Sequence, residues 1–195
     1  LLLLDEPTTY LDVAHEMEIM ALVRKLNREE GRTIVMVLHD INQAASVSDR
    51  IIAMRDGRII GDGSPDEVLT STVLSELYGV ACDVYPLPMG ARSRRFCVPR
   101  SRAGCGACLF AATRPGFDVN GLATGYGKLM ISQELDVDIP GGLITAIVGP
   151  NACGKSTLLR TIGRLQKAGA GEILLDNNDV TRGSHRALAR KLSLL

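Results

Sequence analysis

An α/β fold with a mainly parallel sheet and a small antiparallel part is what this sequence predicts. Three observations carry that expectation. First, "LLLL" (Leu1 to Leu4), "TIVMVL" (Thr33 to Leu38) and "LITAIVG" (Leu143 to Gly149) are short, continuously apolar runs. Such runs suit strands covered on both faces, as in parallel sheets. Second, these runs alternate with helical patterns, the order expected of βαβ connections. Third, "RIIAMRDGRIIGDG" reads as two short strands about a turn at Asp56–Gly57, a local antiparallel element.

The elements follow in order. Asp12 can cap a helix beginning at Val13, whose Ile19, Leu22, Val23 and Leu26 share helical spacing and which Gly31 ends. The second apolar run ends at His39–Asp40. "SPDEVLTSTVLSELYG" carries the signals of one helix: Ser64 as N-cap, Pro65 at the first helical position, Glu67 completing a capping box and Gly79 as the stop. A further block begins near Phe117, with a helix expected from Lys155, a strand at "GEILLD" and a short helix at "SHRALARKL". The final "LSLL" falls in a new strand, so both ends read as cut through core elements. Between the blocks, Pro86 to Gly116 is rich in Pro, Gly, Ser and Arg and keeps no period, as a linker would. The expected organisation is therefore 1–84, a linker at 85–116, and 117–195.

The 195 residues are 46% hydrophobic with a formal net charge of zero, which suits a globular chain with a substantial core. Neutrality offers no basic excess for nucleic acid, so no nucleic-acid partner is expected. No run approaches the roughly 18 apolar residues of a membrane span, and the N-terminal leucines lack the basic flank of a signal peptide. A cytoplasmic location follows as the expectation, with any membrane role supplied by a partner. The five cysteines are odd in number and scattered, which favours reduced thiols.

"GPNACGKST" (Gly149, Pro150, Asn151, Ala152, Cys153, Gly154, Lys155, Ser156, Thr157) fits G-x-x-x-x-G-K-[ST]. It follows a predicted strand and opens a predicted helix, the context that gives the pattern meaning. Its backbone amides and the helix N-terminus favour phosphate, Lys155 neutralises it, and Ser156 is suited to ligate Mg²⁺. Beside such a loop a hydrophobic strand ending in Asp commonly holds the magnesium. Asp5 fits that role, and Glu6 is suited to orient or deprotonate an attacking water. His39 ends a buried strand, where open α/β sheets place ligand-binding groups. Tyr126 in "TGYGK" reads either as an ordinary loop tyrosine or as a ring that stacks on adenine.

Taken together, "GYGK", "IVGPNACGKSTLLRTIGRL", "LLLLDEPTTYLD" and "VLHDINQAASVSDRIIAMRDGRIIGDGSPDEVL" resemble the ATP-binding cassette ATPases, more narrowly those powering import of iron–siderophore complexes, metal chelates and vitamin B12. The resemblance implies a P-loop NTPase core with ATP and Mg²⁺ as cofactors. It implies Tyr126 as the adenine-stacking residue, and Gly149 to Thr157 as the Walker A phosphate site. Asp5 would be the Walker B magnesium ligand, Glu6 the catalytic glutamate, Leu11 and Asp12 part of the D-loop, and His39 the switch histidine. With Lys155, Glu6 and His39 make up the implied catalytic set. Implied partners are transmembrane permease subunits, a second ATPase domain in a head-to-tail dimer and, indirectly, a periplasmic or surface substrate-binding protein. The implied location is peripheral, on the cytoplasmic face of the membrane.

Departures from the family are plain. Ala152 stands where a second glycine is usual. Asp5 precedes Gly149 in the chain, the reverse of the family order, and no "LSGGQ"-like signature occurs. The chain stops where the glutamine loop should begin, and the helical subdomain is missing. Three arrangements account for this: a window of a tandem fusion, a truncated or joined fragment, or a circular permutant. In each, the two blocks hold complementary strands of one core, which can bring Asp5 and Glu6 to Lys155. Two other functions stay open, a non-hydrolysing nucleotide-binding module and a soluble cassette protein of DNA repair or translation. "CGAC" (Cys105 to Cys108) and the arginines 92, 94, 95, 100 and 102 read as solvated linker. Cys153, just before a helix N-terminus, is expected to have a lowered thiol pKa and to be alkylated unless nucleotide protects it.

Overall fold

The computed structural model describes residues 1–82, 84, 116–126, 129–181 and 192–194. Its central element is a six-stranded sheet in the order β10-β1-β2-β7-β3-β4. The strands are β1 (Leu2–Asp5), β2 (Ile34–Val37), β3 (Arg50–Arg55), β4 (Arg58–Gly63), β7 (Ile144–Val148) and β10 (Ser193–Leu194). Adjacent pairs are parallel except β3–β4, which form the antiparallel hairpin expected about Asp56–Gly57. A second, antiparallel sheet orders β6-β5-β8-β9, from β5 (Phe117–Tyr126), β6 (Leu129–Ile139), β8 (Ala170–Leu175) and β9 (Asn178–Asp179). The antiparallel part is thus larger than the single hairpin read from the sequence.

Continuous apolarity in the strands reflects two cores. Leu2 and Leu4 face one side and Leu3 the other, as a period of two requires. On Leu3's side, Val35, Val37, Ile52, Met54 and Ile147 pack with α5 (Lys155–Ile162) and the antiparallel sheet's Phe117, Leu122 and Val137. The opposite core joins Leu2, Leu4, Ile34, Met36 and Ala146 to α1 (Val13–Glu30), α2 (Ile41–Val47), α3 (Pro65–Val68) and α4 (Ser71–Tyr78). Asp12 caps α1 and Gly31 closes it with φ 63°, as the sequence signals required.

Two local expectations are corrected. The helix expected from Ser64 to Gly79 is two helices, broken at Leu69 (ψ 60°) and restarted by Thr70, whose hydroxyl accepts the Val73 amide. Threonine is a good N-cap, and the break lets Val68, Leu74 and Leu77 all reach one core. On α1 the buried face is Met20 and Val23, while Leu22 is 54% exposed.

Strand β7 lies between β2 and β3, so the two patterned blocks share one sheet. Polar contacts fasten this seam. The Gly142 amide donates to Thr33 Oγ1 at 2.7 Å, and Asn27 Nδ2 donates to the Gly142 carbonyl at 2.8 Å. Asp49 accepts the Ile144 amide at 2.9 Å and returns its own amide to the Ile144 carbonyl at 2.8 Å. Burial raises the Asp49 pKa, opposed by the Ile144 amide and by Arg28 and Arg24. A raised folded pKa means stability is full below the unfolded value, about 3.9, and is lost as pH rises through the folded value. Asp49→Asn keeps the amide acceptor without the charge. Its melting temperature should match wild type near pH 4 and exceed it increasingly above, as thermal scans across pH 4 to 7 will register.

Candidate nucleotide site

The glycine-containing loop leaves β7 at Gly149 and enters α5 at Gly154, the helix N-cap, with φ 105°. Its outer bracing comes from the other block. A Cβ at Gly149 would lie 2.0 Å from the Met54 carbonyl of β3, so the loop backbone is pressed against that strand. The Gly57 amide, in the β3–β4 turn, donates to the Cys153 carbonyl at 3.1 Å. Ala152 adopts φ 62°, the left-handed conformation a glycine takes freely, at a cost of roughly 1–2 kcal/mol. The residue thus keeps the backbone shape expected of the loop while straining it.

Lys155 is buried, 4% exposed, and its Nζ donates to the carbonyls of Gly149 and Pro150, each at 2.9 Å. The ammonium, with three donors, therefore sits inside the curl of the loop. Thr157 is buried in the first turn of α5. Ser156 Oγ donates to Asp5 Oδ1 at 2.7 Å, joining residues far apart in the chain. The other carboxylate oxygen, Asp5 Oδ2, forms an ion pair with Arg160 Nη2 at 3.2 Å. Parallel pairing of β1 with β2, and of β2 with β7, is what brings the end of β1 beside the start of α5.

Glu6 follows with φ 54°, a turn that few non-glycine residues take and that aims its carboxylate across the sheet end. Glu6 Oε1 lies 2.7 Å from His39 Nε2, and Glu6 Oε2 accepts the Thr9 hydroxyl at 3.3 Å. The structure thus brings together Asp5, Glu6, His39, Lys155, Ser156 and the loop. Asp12 is placed otherwise: its exposed carboxylate accepts the His15 amide at 2.9 Å and meets His15 Nδ1 at 2.8 Å, contacts that lower its pKa. Tyr126 pairs with Leu129 across β5–β6, but its side chain lies outside the described residues, as do Cys97, Cys105, Cys108, the linker arginines and residues 184–191.

Cys153 departs from expectation. It is 3% exposed and burial pushes its thiol pKa up, although Lys155 and the Lys155 amide oppose the shift. Burial outweighs the helix N-terminus, so ready alkylation is not expected. Two groups escaped the sequence reading. Arg160 stands one turn beyond Ser156, and Gln43 accepts the Thr8 hydroxyl at 3.3 Å while donating to Glu16. Arg160 was detectable only as an i, i+4 partner of Ser156. A groove of about 610 Å³ between α1 and α2, lined by Met20, Arg24 and Gln43 among others, contains none of the phosphate-loop residues.

Residues 132–195 match the family model described as ABC transporter. Over part of its length the chain is similar to ABC transporter ATP-binding proteins. It is 51% identical over 84 residues to the petrobactin import ATP-binding protein FpuC of Bacillus anthracis, covering 43% of this chain and 31% of that protein. It is 48% identical over 88 residues to the iron(3+)-hydroxamate import ATP-binding protein FhuC of Bacillus subtilis strain 168, covering 45% and 33%. The ferric enterobactin transport ATP-binding protein FepC of Escherichia coli K12 matches at 42% over 89 residues, covering 46% and 33%. The chain spans about a third of the length of these curated relatives. Among solved structures, a bacterial Atm1-family ABC exporter with ATP bound aligns with TM-score 0.38 at 31% identity, over 40% of this chain and 14% of that one. No helix among the described residues is long and apolar enough to cross a membrane.

Proposed function

We propose that the chain binds ATP with Mg²⁺ at the Gly149–Thr157 loop and contributes to an ATPase that powers an importer, with iron–siderophore complexes as the cargo. The 2.7 Å contact of Ser156 Oγ with Asp5 Oδ1, beside the buried Lys155, is the observation that supports this reading most. A hydroxyl and a carboxylate are hard oxygen donors that suit Mg²⁺, which keeps waters and phosphate oxygens in its remaining positions. Bound there, the ion would neutralise charge building on the phosphates.

The remaining roles fall to the chain itself. Loop amides and the start of α5 hold phosphate oxygens, and Lys155 exchanges loop carbonyls for them. Glu6 orients the attacking water and accepts its proton, and His39, 2.7 Å from Glu6, holds that carboxylate in place. Partners follow the importer reading: permease subunits in the membrane, a second ATPase domain and, through the permease, a substrate-binding protein. Residues 1–84 then correspond to the later half of a cassette and 117–195 to the earlier half, with the chain peripheral at the cytoplasmic membrane face.

The absence of an "LSGGQ"-like stretch favours a second reading, a nucleotide-binding module that does not hydrolyse on its own. Turnover of the chain alone should be negligible. Addition of a cassette domain with an intact signature but an inactivated Glu should raise phosphate release at least about tenfold, a barrier change of about 1.4 kcal/mol. The importer-ATPase reading fails if ATP binds and the partner leaves turnover unchanged.

A further inference from the structure

We infer that Arg160 is a positioning residue for the divalent cation site, acting through Asp5. The inference rests on the magnesium reading of Asp5 and Ser156 given above. Asp5 is a small carboxylate whose two oxygens are divided between two residues of one helix. Oδ1 accepts the Ser156 hydroxyl at 2.7 Å, and Oδ2 forms an ion pair with the Arg160 guanidinium, Nη2 lying 3.2 Å away. Ser156 and Arg160 are four apart on α5, so they project from the same face on successive turns. The Asp5 side chain is 17% exposed and that of Arg160 is 49% exposed. The ion pair therefore lies at the edge of the site, with the carboxylate inside.

Geometry decides what this contact does. A carboxylate at the end of a strand rotates about its last torsion with two-fold freedom, so a metal-facing oxygen is not held by the backbone alone. Arg160 anchors one oxygen and thereby presents the other to Ser156. A second consequence is electrostatic. The fixed guanidinium charge offsets the Asp5 carboxylate, so a divalent ion alone is a poorer match there than one that arrives with triphosphate. Asp5 is thus oriented toward a cation accompanied by phosphate. Lysine at 160 retains the charge on a flexible stem but not the planar fork, so it restores the electrostatic part more than the directional part.

The test measures ATP affinity of the full chain, by fluorescence of a labelled ATP analogue, as Mg²⁺ is titrated from EDTA to saturation. Arg160→Met should raise the Mg²⁺ concentration at half-effect about fivefold, the upper end for a partly exposed ion pair. It should leave affinity in EDTA within about twofold, and Arg160→Lys should recover part of the shift. Half-effect concentrations that match wild type would overturn the inference. So would an equal loss with and without Mg²⁺, which marks a structural role. Failure of the underlying reading looks different: wild type itself would show no Mg²⁺-dependent gain in ATP affinity.

Discussion

Lys155→Ala should weaken ATP binding about 100-fold. That factor is of the order of one or two charge-assisted hydrogen bonds to phosphate, each worth roughly 1.5–3 kcal/mol. The expectation follows from where the ammonium sits. Lys155 is buried in the loop, with Nζ 2.9 Å from the carbonyls of Gly149 and Pro150, so it is held inside the loop proposed to take phosphate. Removing it also leaves those carbonyls without their donor and loosens the curl. A thermal readout makes the result clear. Saturation at about 100 times the dissociation constant stabilises a protein by about 2.7 kcal/mol, so wild type should melt several degrees higher with ATP and Mg²⁺. The variant should show no such rise at the same concentrations. A variant that retains the full rise would remove this loop from the account.

Gly57→Ala should be strongly destabilising although it adds a single methyl. Gly57 has φ 74°, and a Cβ there would lie 2.0 Å from the carbonyl oxygen of Ile131. A backbone oxygen cannot swing aside as a side chain can, so the hairpin turn must lift. Lifting it withdraws the Gly57 amide from the Cys153 carbonyl, and with it the brace on the phosphate loop. The left-handed backbone and the clash together should cost about 3 kcal/mol, or roughly 6–12 °C in melting temperature for a chain of this size. ATP affinity should fall in parallel, although Gly57 belongs to neither the loop nor α5. A loss below about 2 °C would show that the turn relaxes without moving the loop.

What the sequence revealed, and what it hid, divides along the range of the interactions. Apolar runs at Leu1–Leu4, Thr33–Leu38 and Leu143–Gly149 identified buried strands, because burial on both faces leaves them apolar apart from Thr33 and Thr145. Caps at Asp12 and Gly31 were legible because capping is a matter of adjacent residues. The placement of β7 between β2 and β3 was not, since strand order depends on pairings between distant segments. The split at Leu69–Thr70 was hidden for a related reason: both helix signals at its ends were genuine, and only the shared core of Val68, Leu74 and Leu77 demanded a break.

The site followed the same rule. Gly149 to Thr157 announced a phosphate loop because its chemistry is contiguous. Asp5 and Glu6 gained meaning only from that loop, and their approach to it required the sheet. His39 read as a strand end, and its 2.7 Å approach to Glu6 was visible only in the fold. Arg160 offered only its i, i+4 spacing from Ser156, and a lone arginine on a helix is ordinarily a solvated surface charge. Cys153 misled because position at a helix start was visible in the sequence while its burial was not.

The central claim is that the two blocks of this one chain form a single phosphate–magnesium site, joined where Ser156 meets Asp5. A double-mutant cycle tests it directly, with ATP affinity at saturating Mg²⁺ measured for wild type, Asp5→Ala, Ser156→Ala and the double variant. Coupling of about 1 kcal/mol or more is expected, the double variant losing clearly less than the sum of the single losses. Strictly additive losses would contradict it, and would mean that Asp5 and Ser156 serve separate sites.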